Sequence, residues 1–433
     1  MAASCIAFVL LIFYLSLSQA AECHGKPSPT AKPNNNAIYV GPPISVKNVS
    51  YGELYTVGSG DDRINIVHVW GWPYQMGYAH GQLVKDVVKS FIDEVWEYLE
   101  DKIEEAINST APIFQPWFLK DVADLGLELA LDLEIAITRP FTSKDFLDEI
   151  RGLADATGVD AKKLERVQLI GELTKGQCSM FGAWGEAVAN TSSRLLQLRA
   201  LDWNMDGPFK NYPQVTVFHP NVGYGHTFAT VGFPGFLGAI TGMSIRGMSI
   251  SEIGVSFPDS SFGSDSRFGI PFTYFLRDIL QYSVSIDDAM KRTTAAHRTC
   301  SLLFGYGDGD NAAFRGVQYS YSVANFFTDD NLQPTADWHP HIKDTVYWGM
   351  DWLCPSYNSV LARQLRRFHG NLTPDVTIHN ILPVVQTGDL HVAVYDLTNN
   401  FMFVSTARGD GETGPQFAYD RTFIRLNMTR LFV

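Results

Sequence analysis

The sequence predicts an α+β protein, with helices gathered before residue 178 and strands mixed with helices after it. Two patterns carry this. Leu83, Val84, Val87, Val88, Phe91, Ile92, Val95, Trp96 and Leu99 recur at three- and four-residue gaps with acidic residues opposite, the period of an amphipathic helix. After Cys178 that period gives way to short apolar runs punctuated by Gly and Pro. Composition agrees, since 13% of residues are aromatic and only 18% charged, which favours a packed core over long disorder. A chain of 433 residues allows two or three domains or one large unit.

The elements follow in order. Residues 6–17 are an apolar run shorter than the ~20 residues of a membrane span. Ser18-Gln19-Ala20 then offers small residues at −3 and −1 of a signal-peptidase site, so 1–20 reads as a cleaved signal peptide. Residues 21–40, with Pro27, Pro29, Pro33 and Asn34-Asn35-Asn36, read as a flexible or extended leader. A strand is expected over Ile64–Trp70 and helices over 74–107, 117–137, 143–157 and 160–173, so that 21–177 is largely helical. His80, between Gly77 and Gly81, reads as structural, where small residues let helices approach. Beyond Cys178, strands are expected over 195–203, 214–219, 226–233, 239–257, about 300–306 and 313–323, 390–396, 401–407 and 422–426. Helices are expected over 272–282 after Pro271, from Ser285 with Asp287 and Asp288 in the first turn, and over 356–369.

Charge and cysteine bound the function. With 33 Lys and Arg against 46 Asp and Glu, the net charge is −13, which argues against nucleic acid as a partner. Asn48, Asn108, Asn190, Asn371 and Asn427 head five N-glycosylation sequons, which with the leader suggest a secreted or lysosomal protein. Of Cys5, Cys23, Cys178, Cys300 and Cys354, the first leaves with the signal; four in so long a chain are no disulfide scaffold, and Cys300–Cys354 is the pair expected. His339 and His341 lack a third ligand for a metal, and 305–311 reads as a tight turn, not a calcium loop. No metal or other cofactor is expected, and no later span.

Gly176-Gln177-Cys178-Ser179, followed by Arg199-Ala200-Leu201-Asp202-Trp203, is the stretch that points to chemistry. A thiol is a strong nucleophile only as thiolate and needs a base, yet no histidine lies close in sequence. A papain-like reading requires a Cys three residues before the nucleophile and an aromatic directly after it, where this chain has Lys175 and Ser179.

The chain resembles the cysteine-type N-terminal-nucleophile hydrolases, in particular the acyl-coenzyme A:6-aminopenicillanic acid acyltransferase family, related to acid ceramidases, bile salt hydrolases and penicillin V acylases. The resemblance rests on 69–81, on Cys178 opening a strand, on Arg199 and Asp202, on 269–280, and on 386–388 with 392–396. It implies a four-layer αββα sandwich with a helical N-terminal segment, a cut between Gln177 and Cys178, and two associated chains, 21–177 and 178–433. It implies that the freed α-amine of Cys178, ordinarily titrating near 7.7–8.0, serves as base. Asp202 would hold that amine and Arg199 would favour thiolate. A strand's pleat places residues three apart on opposite faces, so these two require either a twist of the strand or side chains that meet around its tip. The family's oxyanion Asn is replaced by Ser251 or, in another register, Ser244; a later Asn is missing at Ser301; Ala200 and Gln177 also depart from the pattern. The implied activity is hydrolysis or transfer of N-acyl amides through a thioacyl-enzyme, with small-molecule acyl amides or lipids as substrate. The alternatives are a phospholipase-type ester hydrolase with the same nucleophile, and a binding protein that keeps the fold without catalysis.

Overall fold

The computed structural model describes residues 26–107, 114–174, 176–189, 193–255, 258–350 and 359–433. Strands β1 (Ile44–Val49), β2 (Gly52–Val57) and β3 (Ile64–Gly71) come first. Helices α1 (Pro73–Ile107), α2 (Pro116–Leu125), α3 (Leu127–Thr138), α4 (Lys144–Thr157), α5 (Ala161–Gln168) and α6 (Ile170–Leu173) follow. Next are β4 (Gln177–Trp184), β5 (Leu195–Asp202), β6 (Gln214–Pro220), β7 (Phe228–Gly232), β8 (Gly242–Ser244) and β9 (Met248–Gly254). Helices α7 (Phe272–Tyr282) and α8 (Ile286–Ala295) precede β10 (Leu302–Asp308), β11 (Ala313–Tyr319), β12 (Ala324–Phe327) and β13 (Thr345–Trp348). After α9 (Val360–Arg367) the chain closes with β14 (His391–Asp396), β15 (Phe401–Thr406) and β16 (Ile424–Asn427).

These strands form a ten-stranded sheet, β1-β2-β3-β6-β7-β8-β9-β10-β11-β12, and a six-stranded sheet, β13-β4-β5-β14-β15-β16. Their inner faces pack together. A Cβ on Gly182 of β4 would meet the Phe314 ring of β11, and the Tyr395 hydroxyl of β14 donates to Ile250 O of β9 and accepts from Gly242 N. On the outer face of the large sheet, Thr293 of α8 meets the Tyr306 hydroxyl at 3.0 Å, and the Leu280 side chain of α7 packs at Gly242. Residues 374–385 cover the small sheet, next to β14. Helices therefore flank two stacked sheets, an α+β sandwich of four layers.

Small residues set the helical layer. A Cβ on Gly77 of α1 would come within 1.9 Å of Glu149 O, and one on Gly152 of α4 within 2.1 Å of Tyr74 O. Only glycine permits so close a crossing. His80 is fully buried there, its Nε2 3.0 Å from Gln214 Nε2 and 3.3 Å from the Gly235 amide, while its Nδ1 has no partner among the described residues.

Several expected elements change. The span 239–257 divides into β8 and β9, because Gly247, at φ +70°, turns the chain between them. The helix over 117–137 breaks at Gly126, at φ +84°. The leader is tied down in part: Asn34 is buried and donates to Tyr419 O and Arg421 O. Residues 44–71 supply three strands to the large sheet, and β3 pairs in parallel with β6, so the stretches before and after Cys178 build one sheet together. The expected signal peptide, Asn108, Asn190 and Cys354 lie outside the described residues.

Candidate active site

Cys178 is the second residue of β4 and is buried, 1% exposed, with a free thiol. Register places it opposite Leu201 of β5, which pairs in turn with His391 of β14, so the three share the inner face. Arg199, two residues along β5 from Leu201, points to that same face and is completely buried. Its Nη2 donates to Glu252 of β9 at 3.0 Å and its Nε reaches Ile240 O at 3.4 Å. Its Nη1 is buried with no hydrogen-bond partner among the described residues. An unpaired buried donor on a charged group is costly, and it is available to a ligand.

Asp202 ends β5 opposite Gln177, flanking the Gln177–Cys178 peptide from the neighbouring strand. Its carboxylate turns around the strand tip, accepting from Thr387 Oγ1 at 2.6 Å, Gly388 N at 2.7 Å and Asp389 N at 3.2 Å. The Thr387 hydroxyl also lies 2.7 Å from Ser179 Oγ. Arg199 and Asp202 thus approach Cys178 by different routes, one along the inner face and one at the tip.

Electrostatics in this uncut chain keep the thiol protonated. Burial pushes Cys178 up to about 12; Arg199 and the Asp202 amide favour thiolate, while the Glu252 and Asp202 carboxyls oppose it. Burial also pushes Asp202 up to about 7, against the pull of its three donors and Arg199. His391 does not supply a base at the sulfur. It stands two strands from Cys178, about 10 Å by strand spacing. Its Nε2 meets Thr241 Oγ1 at 2.9 Å, and burial beside Arg199 keeps the ring neutral.

Of the three serines considered as oxyanion donors, Ser251 and Ser301 donate to other groups, while Ser244 serves as an acceptor. Ser251 Oγ accepts from Gln197 Nε2 at 2.8 Å and donates to Leu198 O at 3.2 Å. Ser244 Oγ accepts the Arg246 amide in the β8–β9 turn. Ser301 Oγ donates to Asp265 at 2.6 Å. Glu252 and Thr387 went unassigned in the sequence reading; Glu252 sits one residue beyond Ser251, and Thr387 lies inside the 386–388 stretch. Cys300 carries a free thiol among the described residues, and Cys354, its expected partner, lies outside them. Cys300 lines a cavity of about 370 Å³ together with Gln115, Trp117, Glu172, Leu173 and Arg267. Burial pushes Glu172 up to about 7. The cavity lies at the same end of the sandwich as the Gln177–Cys178 bond: a Cβ on Gly254 would touch Gly176, Gly254 pairs with Leu302, and Cys300 is two residues beyond. Of the sequon asparagines described, Asn48 and Asn371 are exposed and Asn427 is half-buried, capping the final turn through Arg430 N. The His339 ring spans Pro334 O and Tyr347 O, and 308–311 is a turn closed by Asp308 on the Asn311 amide.

No family model matches the sequence. Protein dcd1A of Dictyostelium discoideum is 35% identical over 440 residues, spanning 97% of this chain and 96% of its own. Protein dcd1B of the same organism is 36% identical over 403 residues, spanning 90% and 79%. Among solved structures, a Caenorhabditis elegans N-acylethanolamine-hydrolyzing acid amidase ortholog is 15% identical, with a TM-score of 0.39, covering 51% of this chain and 93% of that one. Penicillin V acylase from Agrobacterium tumefaciens is 12% identical, with a TM-score of 0.38, covering 58% and 87%. The extent and identity of the match to dcd1A show that the chain belongs to the dcd1 family.

Proposed function

We propose that this member of the dcd1 family is an amidohydrolase or acyltransferase that cuts its own Gln177–Cys178 bond and then uses Cys178 as an N-terminal nucleophile on N-acyl amides. One observation carries the reading. A buried thiol at a strand start shares its surroundings with Arg199, Glu252 and Asp202, while no hydrogen bond among the described residues joins its sulfur to a side-chain base. Such a thiol needs a base from elsewhere, and its own backbone nitrogen becomes one only after the chain is cut.

In the first step Cys178 Sγ attacks the Gln177 carbonyl carbon. The C–N bond breaks, the thiol proton passes to the leaving nitrogen, and a thioester forms. Water then hydrolyses the thioester, releasing the Gln177 carboxylate and restoring the Cys178 thiol beside the α-amine that the first step freed. In turnover that amine takes the thiol proton, Sγ attacks the substrate carbonyl, and the amine returns the proton to the departing nitrogen. Water or an acceptor amine resolves the thioacyl-enzyme. Asp202, flanking the cut peptide, fixes the amine. Arg199 Nη1 is the donor free for the developing oxyanion. The cavity at this end is the acyl-amide site in this reading.

The reading includes two chains that stay associated, supported by the β3–β6 pairing across the cut. It includes a secreted or lysosomal location, supported by the apolar leader and the sequons; among the described residues no helix is long and apolar enough to cross a membrane. Intact mass and N-terminal sequencing of the purified, deglycosylated protein, beside Cys178→Ala, test it. Two wild-type chains, one beginning at Cys178, with the variant whole, are expected. A wild-type chain that stays whole at neutral and mildly acidic pH removes the α-amine base and with it the reading.

A further inference from the structure

The end of β5 and the loop before β14 hold each other reciprocally. Asp202 accepts the backbone amides of Gly388 and Asp389, while Asp389 Oδ1 accepts the backbone amide of Trp203, the residue after Asp202, at 2.9 Å. Each aspartate thus anchors the backbone beside the other, next to the Gln177–Cys178 peptide. The Trp203 ring also packs against Gly176, two residues before Cys178. We propose that Asp389 is a positioning residue: its clasp with Asp202 fixes the strand tip against the Cys178 nitrogen and leaves a single negative charge on Asp202.

Two carboxyls this close, Asp202 buried and Asp389 half-buried, do not both ionise easily. Three donors and Arg199 favour the Asp202 anion. Asp389 is raised by burial and by Asp202, so the proton rests on Asp389. The other titratable or charged groups around the pair are Cys178 and Arg199 from the strands, His391 from β14 and Tyr419 from the turn at 418–420. His391 is neutral and Tyr419 is raised by burial, so neither supplies a counter-charge. As pH rises and Asp389 ionises, a second negative charge arrives beside the amine and holds its proton more firmly.

This rests on the proposed self-cleaving mechanism, and the test separates the two. In the full-length Cys178→Ala protein, the infrared difference between Asp389 and Asp389→Asn is recorded at neutral pH. A protonated carboxyl stretch lost in the Asn variant is expected, and its absence overturns the single-charge pair whether or not the wild type cuts itself. In otherwise wild-type protein, Asp389→Asn keeps the bond to Trp203 and replaces a neutral carboxyl with a neutral amide, so it is expected to leave the acid limb of kcat/KM in place and kcat within about twofold of wild type. Asp389→Ala loses the bond and is expected to lower kcat about tenfold or more at unchanged KM. If both variants merely scale the profile equally, with melting temperatures held, positioning is overturned. An intact wild-type chain, with the carboxyl stretch assigned to Asp389, overturns the positioning role and the self-cleaving reading while the shared-proton pair stands.

Discussion

Two buried Arg–Glu pairs lie among the described residues, and their difference separates scaffold from site. Arg277 of α7 grips Glu149 of α4 through both terminal nitrogens, at 3.2 and 2.6 Å, and Nη1 also donates to Leu237 O at 2.9 Å. Its Nε reaches Gln281, and its guanidinium lies 4.5 Å from the Phe218 ring centre. Every nitrogen is used, and the pair bolts two helices to the large sheet. Arg199 makes one bond to Glu252 and one long bond to Ile240 O, and leaves Nη1 without a partner. Burial costs both arginines their hydration, but only Arg277 is repaid in full. The spare donor beside the thiol is what a scaffold would not keep.

The largest effect expected is on stability, at the saturated pair. Arg277→Ala leaves Glu149 buried and uncompensated, which typically costs about 3–5 kcal/mol. Chemical denaturation of the full chain measures it. A loss below about 1 kcal/mol would erase the contrast, since it would mean the pair stabilises little despite its geometry.

The next effect is on rate, at the unsaturated pair. Arg199→Lys keeps a charge but loses the fork that holds Glu252 while presenting Nη1. Turnover on an acyl amide, and the rate of self-cleavage, are expected to fall by about 10²–10³, with a smaller stability loss than Arg277→Ala. Equal losses of stability with unchanged turnover would assign Arg199 to the scaffold too.

A third test uses pH. Asp202 is pushed up to about 7, against an ordinary carboxyl near 3.9. Between these values the native state holds a proton that the unfolded chain has released, so stability falls as pH rises through the window. Asp202→Asn removes that dependence. The variant is expected to match wild type near pH 4 and to be more stable above pH 7 by at least ~1 kcal/mol, with turnover lost. A wild type that is the more stable above pH 7 would show that the three donors and Arg199 outweigh burial at Asp202.

The same contrast explains what could be read in the sequence. Helix α1 was legible because nine apolar residues recur at one period over four turns, and seven of them are buried while Val87 is exposed. The hairpin of β1 and β2 was not. β1 is an exposed edge without alternation, and the turn uses Tyr51 at φ 64°, where Gly or Asn would have signalled it. At the candidate site, Cys178, Arg199 and Asp202 were singled out through the family resemblance, and they lie on two adjacent strands. Glu252 was not, because its partner is 53 residues away and a charge in a strand ordinarily reads as solvent-facing. Thr387 and Asp389 lie more than 180 residues from Asp202 and are joined to it only by the pairing of β14 with β5. Pleat geometry correctly set Arg199 and Asp202 on opposite faces, and the strand tip supplied the route that alternation withheld.

The smallest effect expected concerns Ser251, which sequence position made an oxyanion candidate. Its hydroxyl is saturated in the manner of Arg277: it accepts from Gln197, donates to Leu198 O, and is wholly buried. Gln197 in turn accepts from Ser249, so the three side chains form a closed polar link between β5 and β9. A donor already committed to a backbone carbonyl cannot stabilise charge on a substrate without first breaking that bond. Ser251→Ala is therefore expected to cost about 1 kcal/mol of stability while kcat changes less than a few fold. A fall in kcat by two orders of magnitude at near-native stability would instead place the hydroxyl on the reacting oxygen. That outcome would require Gln197 and Ser251 to rearrange after the chain is cut, and would blur the line drawn here between satisfied and unsatisfied donors.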